Sequence, residues 1–144
     1  MGEIDLTFWR GEVFLADYRK ALKGKRILIA GCGADGSHAA TCLVAISNGG
    51  VRLKLADPEE YGPENVGIQS VRSSQVGKNK AQATAENVLE LYPSCDVEIF
   101  ETGVTIDNTE ALVRDCDIVI DAIDISRTDI SEYLHKIACR RGIP

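Results

Sequence analysis

The chain contains no apolar run approaching the ~20 residues that cross a bilayer. Its opening, MGEIDLTFWRGEV, has neither the basic flank nor the apolar stretch of a secretory signal. These absences predict a cytoplasmic protein with no membrane contact. Leu6 stands where a myristoylation motif needs Ser or Thr, which removes a lipid anchor of that kind. No two cysteines have CxxC spacing, so a zinc site within these residues is not expected. The cysteines are odd in number, Cys32, Cys42, Cys95, Cys116 and Cys139, and are scattered through apolar or helical patterns. That distribution suits reduced thiols rather than a disulfide framework. Internal repeats and low-complexity linkers are absent. Basic residues are outnumbered, 16 against 22 acidic, and the formal charge of −6 argues against a surface that coats nucleic acid. A tRNA partner is thereby disfavoured, although a local basic patch stays open.

What the sequence does hold is a regular alternation. At 144 residues and 44% hydrophobic side chains it can bury one ordinary core, which predicts a single domain, residues 1–144. A leading helix is expected from about Phe8 to Lys23, ending near Gly24. RILIAG is apolar on both faces, as in a central parallel strand covered on each side. SHAATCLVAISNGG follows as a helix stopped by Gly49 and Gly50. VRLKLAD is a strand with Val51, Leu53 and Leu55 on one face and Arg52 and Lys54 on the other. An irregular segment, Pro58 to Val76, is longer than the usual connection and is where function is expected. KNKAQATAENVLELYP carries Ala81, Ala85, Val88, Leu89 and Tyr92 on one helical stripe. CDVEIFETG is a strand, NTEALVRDC a helix with Asn108 as N-cap, DIVIDAID a buried strand, and TDISEYLHKIACRRGIP a last helix. Strand–helix alternation implies right-handed crossovers and a Rossmann-like, doubly wound parallel sheet, expected in the order 3-2-1-4. The stop at RRGIP falls where such a sheet would enter its next strand, which predicts a piece of a longer protein.

Gly31, Gly33 and Gly36 spell GxGxxG between the first strand and its helix, with Ser37 next and Asp57 about 20 residues on at the end of the second strand. Helix N-terminal amides there favour an anion, and the acid can accept from ribose hydroxyls. The bland alternative is that the glycines only allow close helix–strand packing. Asp57 suits a dinucleotide and ATP equally, so the loop alone leaves both open.

The segment after Asp57 resembles the ThiF/MoeB family of ATP-dependent adenylating enzymes, which includes the ubiquitin-activating enzymes. The resemblance runs from about Arg10 to Pro144. It rests on GxGxxGS at Gly31 to Ser37, Asp57, N-x-x-x-Q at Asn65 to Gln69, VGKNKAQA with Lys80, LYPSCDVEIF, and VIDAID ending at Asp124. VIDAIDISR and CRRGIP look like the branch of tRNA threonylcarbamoyladenosine dehydratases. The resemblance implies attack of a substrate carboxylate on the α-phosphate of ATP, giving an acyl-adenylate and pyrophosphate. It assigns Lys80 to the phosphates, Asp124 to Mg²⁺ and nucleotide, and Arg10 to the ATP site of a partner subunit in a homodimer. It also names the C-terminus of a small β-grasp carrier protein as the substrate carboxylate, with a modified nucleoside on tRNA as an alternative. The bland readings are a solvated helix lysine for Lys80, a helix cap for Asp124 and a surface arginine for Arg10.

The pattern breaks in places. The family's N-x-N-R-Q reads Asn65-Val66-Gly67-Ile68-Gln69, so the arginine is replaced by Ile68. Losing a guanidinium that meets transition-state charge lowers rates by something on the order of 10³-fold in related phosphoryl chemistry. Arg72, four residues on, is a candidate replacement. Ala34 replaces a third glycine, Asp35 adds an acid near the phosphates, and Ile125 replaces the asparagine usual after the family aspartate. The readings that remain are an adenylating enzyme with a rearranged site, a degenerate nucleotide-binding scaffold of the same fold, and, least favoured, an NAD-dependent oxidoreductase module. Cys32, inside the glycine turn, is expected to pack rather than react.

Overall fold

The computed structural model describes residues 9–144, and side chains from Phe14 onward. Four strands, β1 (Arg26–Ala30), β2 (Arg52–Ala56), β3 (Asp96–Phe100) and β4 (Ile118–Asp121), form one sheet in the order β3-β2-β1-β4. Every pairing is parallel, with Ile27 opposite both Leu53 and Ile118. The expected topology is therefore observed. The helices are α1 (Trp9–Leu22), α2 (Ala34–Ser47), α3 (Lys80–Leu91), α4 (Ile106–Val113) and α5 (Thr128–Arg140).

Alternation along β1 divides the core. Ile27 and Ile29 face Ala40 and Val44 of α2 and Ala85 and Val88 of α3, while Leu28 and Ala30 face Leu112 of α4 and Leu134 of α5. A strand apolar on both faces has helices to bury it twice. Among the described residues no helix is long and apolar enough to cross a membrane.

Several local expectations are corrected. Lys54 is buried: its Nζ donates to the Leu112 carbonyl at 3.0 Å and lies 2.6 Å from Asp115 Oδ1, so the second face of β2 is covered by α4 through a charged staple. β4 is half-buried, because it is an edge strand. Leu89 is exposed on α3, where Ala81, Ala85 and Val88 carry the buried stripe. α4 starts earlier than expected, capped by Thr105, whose hydroxyl accepts from the Asn108 amide while Asn108 Oδ1 accepts from the Thr105 amide. Asn108 is thus the third residue of a capping box. The long segment after β2 is ordered by two short 3₁₀ turns, Pro63–Asn65 and Ser73–Gln75. A buried Gln75 amide ties the second turn to Asn87 and Glu86 of α3.

Candidate functional site

The first helix crossover after β1 goes to β2 and the chain later returns to β4 on the other side, so a crevice opens at the carboxyl ends of β1 and β4. It holds a cleft of about 620 Å³. Its base is the glycine turn. Gly31 has φ +94°, and a Cβ there would lie 2.2 Å from the Ala122 carbonyl oxygen, which is how tightly the loops after β1 and β4 meet. A Cβ on Gly36 would lie 1.8 Å from the Gly31 carbonyl oxygen and 3.2 Å from Ile29, so this glycine presses α2 onto β1. Gly33 differs: open space surrounds its Cβ position. It is the N-cap of α2 and supplies no side-chain cap, leaving the first-turn amides of Ala34, Asp35 and Gly36 without an intrahelical acceptor. Ala34 and Asp35 line the cleft.

Asp57 organises the floor. Its Oδ2 accepts from the Cys32 amide at 2.6 Å and its Oδ1 from the Glu59 amide at 2.8 Å. Burial pushes this carboxyl above its ordinary range, and those two amides pull against that shift. Asn79, the N-cap of α3, accepts from the Ala81 and Gln82 amides and donates through Nδ2 to the Asp57 carbonyl at 2.8 Å. The Tyr61 hydroxyl donates to the Cys32 carbonyl at 2.8 Å from inside the core. Burial drives the Cys32 thiol up to about 12, with the Asp57 charge adding to the shift, so this sulfur packs and does not attack.

Lys80 opens α3 and lines the cleft with its side chain almost wholly covered. Desolvation lowers its pKa, but the Glu59 carboxylate, 2.6 Å away, outweighs it and holds the ammonium above its ordinary value. Gln69 lines the cleft with a buried Oε1 that has no hydrogen-bond partner. Asp124 caps the turn Ile125–Arg127, its Oδ1 accepting from the Ser126 amide at 2.8 Å, and hydrogen bonds from Ser126 keep this exposed carboxyl below its ordinary range. Capping and cleft lining are combined in this one residue. Asp121 is tied on all sides: it accepts from the Ile123 amide and the Ser131 hydroxyl, and lies 2.9 Å from His135 Nε2.

Of the residues singled out by sequence, Gly31, Gly33, Asp57, Gln69, Lys80 and Asp124 share the cleft. Gly36, Ser37 and Asn65 do not line it. Ser37 is buried and accepts from the Ser70 amide at 3.1 Å, fastening the long loop to α2. Asn65 accepts from the Gly62 amide at 2.9 Å and so shapes its own turn. Arg10 falls in the first turn of α1, where side chains lie outside the described residues. Arg72, the candidate replacement for the arginine missing at Ile68, pairs with Glu90 of α3 and does not line the cleft. Ile68 itself is 68% exposed. Arg127, the last residue of VIDAIDISR, also lines the cleft, and the sequence reading gave it no role.

The chain matches the ThiF family over residues 9–144. It belongs to that family. Its ThiF domain is 30% identical over 134 residues to the tRNA threonylcarbamoyladenosine dehydratase of Haemophilus influenzae, covering 92% of this chain and 49% of that protein. It is 31% identical over 129 residues to the sulfur carrier protein ThiS adenylyltransferase of Bacillus subtilis, covering 88% and 37%. The crystal structure of Escherichia coli tRNA N6-threonylcarbamoyladenosine dehydratase in complex with ATP superposes with a TM-score of 0.84 at 27% identity, covering 95% of this chain and 56% of that one. The chain thus spans about half, or less, of the length of these relatives.

Proposed function

We propose that this ThiF domain binds ATP and takes part in adenylating a carboxylate. The observation that carries the reading is a helix N-terminus with uncapped amides, at Ala34 and Asp35, sharing one cleft with the Lys80 ammonium. Amides and ammonium together suit a polyphosphate better than the single pyrophosphate of a dinucleotide. The unpartnered Gln69 oxygen offers an acceptor to a nucleotide donor. Asp57 keeps lone pairs beyond the two amides it accepts from, and these suit ribose hydroxyls.

In this reading the substrate carboxylate oxygen forms a bond to the α-phosphorus, the α–β bridging P–O bond breaks, and pyrophosphate leaves. The α2 amides and Lys80 meet the charge that moves onto the leaving phosphates. Five carboxylates, Asp35, Asp57, Glu59, Asp121 and Asp124, face only Lys80 and Arg127 around the cleft. Such a lining opposes free ATP and favours its complex with a hard divalent cation. Asp124, exposed and ionised, fits Mg²⁺, which commonly takes one or two carboxylates and leaves its other positions to phosphate and water. The carboxylate is assigned to the C-terminus of a small β-grasp carrier protein, in line with relatives named for ThiS, with tRNA disfavoured by the acidic balance. A homodimer using Arg10, a cytoplasmic setting and a longer natural chain complete the proposal.

Pyrophosphate–ATP exchange with a β-grasp carrier, run beside calorimetric titration with ATP and NAD in the presence of Mg²⁺, tests it. ATP is expected to bind more tightly than NAD, and stronger NAD binding refutes the reading. A second reading, a nucleotide-binding scaffold, is favoured by Ile68 at the family's arginine position. Binding without any exchange would select it.

A further inference from the structure

Ile68 stands where the family pattern has an arginine, and the described residues put another guanidinium, one to which the sequence reading gave no role, at the cleft. Arg127 lines the cleft from the short turn that follows β4. Its backbone is fixed, because its amide donates to the Asp124 carbonyl at 2.8 Å and the turn before it is capped by the Asp124 carboxylate. Its side chain is only loosely engaged: Nε lies 3.4 Å from Asp129 Oδ1, with both side chains more than half exposed. Pairs of that kind contribute little and exchange partners readily. Arg72 and Lys78 pair with Glu90 and Glu86 and do not line the cleft, so among the described residues Arg127 and Lys80 are its cationic side chains.

We propose that Arg127 is a phosphate ligand of this site and supplies, from the β4 loop, the guanidinium charge that the family pattern places at position 68. This rests on the nucleotide reading above. The turn sets Asp124 and Arg127 three residues apart on one fixed scaffold, so a carboxylate for the cation and a fork of donors for phosphate oxygens arrive together. When a triphosphate enters, the guanidinium exchanges the Asp129 carboxylate for phosphate oxygens. An exposed residue thereby becomes a buried one only in the complex.

The test is calorimetric titration of the whole chain with Mg²⁺ plus ATP, AMP or adenosine, comparing wild type with Arg127→Ala, Arg127→Lys and Asp129→Asn. Removing a charge-assisted contact should weaken ATP by about tenfold or more. AMP should lose no more than about a third as much in fold terms, adenosine should be unchanged, and Arg127→Lys should fall between, keeping charge without the fork. Asp129→Asn, which frees the guanidinium, should bind ATP at least as tightly as wild type. Equal losses for the three ligands, no loss at all, or weaker ATP binding by Asp129→Asn would overturn the role of Arg127 while leaving wild-type ATP binding in place. Wild type that prefers NAD or binds no nucleotide would instead remove the reading beneath it, and the proposal with it.

Discussion

Replacing Gly36 with Ala separates the two jobs that a glycine-rich turn can have. A Cβ at this position would sit 1.8 Å from the Gly31 carbonyl oxygen, where ordinary contact begins at 3.4 Å, so α2 must retreat from β1 by more than an ångström. Ile29, at 3.2 Å on the other side, is wholly buried and cannot give way. Overpacking of this kind costs about 1–3 kcal/mol, against a gain of about 0.5–1 kcal/mol for Ala over Gly within a helix. Because the clash is with a backbone oxygen, the upper end of that cost applies, and a net loss of about 2 kcal/mol lowers the melting temperature of a domain this size by roughly 6 °C. Gly33→Ala is the counterpart, since nothing lies within 4 Å of its added methyl. It should melt close to wild type, losing at most about 1 kcal/mol at the N-cap, yet bind ATP more weakly because the methyl enters the cleft. Thermal melts followed by circular dichroism, with ATP titrations of both variants, provide the comparison. Gly36→Ala melting within about 2 °C of wild type would refute the argument.

Lys80→Ala should weaken ATP by about tenfold and AMP less, with little change in stability because the Glu59 it leaves behind is 66% exposed; calorimetry showing equal losses would remove Lys80 from the phosphates. Thiol labelling at pH 8 should modify Cys42 and Cys139 quickly and leave Cys32, Cys95 and Cys116 until the chain unfolds, and rapid labelling of Cys32 would contradict a thiol whose pKa stands at about 12. Ile68→Arg, at an exposed position, should raise pyrophosphate–ATP exchange without lowering the melting temperature; exchange already robust in the wild type, and unchanged by the substitution, would show that the charge is supplied elsewhere.

The sheet was legible because its strands are short, bounded and apolar: RILIA is buried on every residue after its first, and alternation with helices allows few orders. The glycine turn and Asp57 were legible because a fixed local spacing creates them. Lys54 was not, since a lysine alternating with leucines reads as a solvated face until α4 places Asp115 above it. Asn65 matched a motif yet spends its oxygen on the Gly62 amide, a choice decided by the turn and not by the spacing. Arg127 reaches the cleft only because β4 lies beside β1, a relation between residues some ninety positions apart that no window along the chain contains. Asp124 shows the opposite case, where capping and cleft lining coincide and both sequence readings describe the same carboxylate.

The hydrogen bonds converging on Asp57 bind the glycine turn, the start of the long loop and the cap of α3 before any ligand arrives. Little of the entropy lost on binding is then drawn from the base of the cleft, and most comes from the ligand and the exposed rim at Ile125 and Arg127. Changes of partner can therefore be written in rim residues alone, one at a time, while the base that recognises the nucleotide keeps its shape.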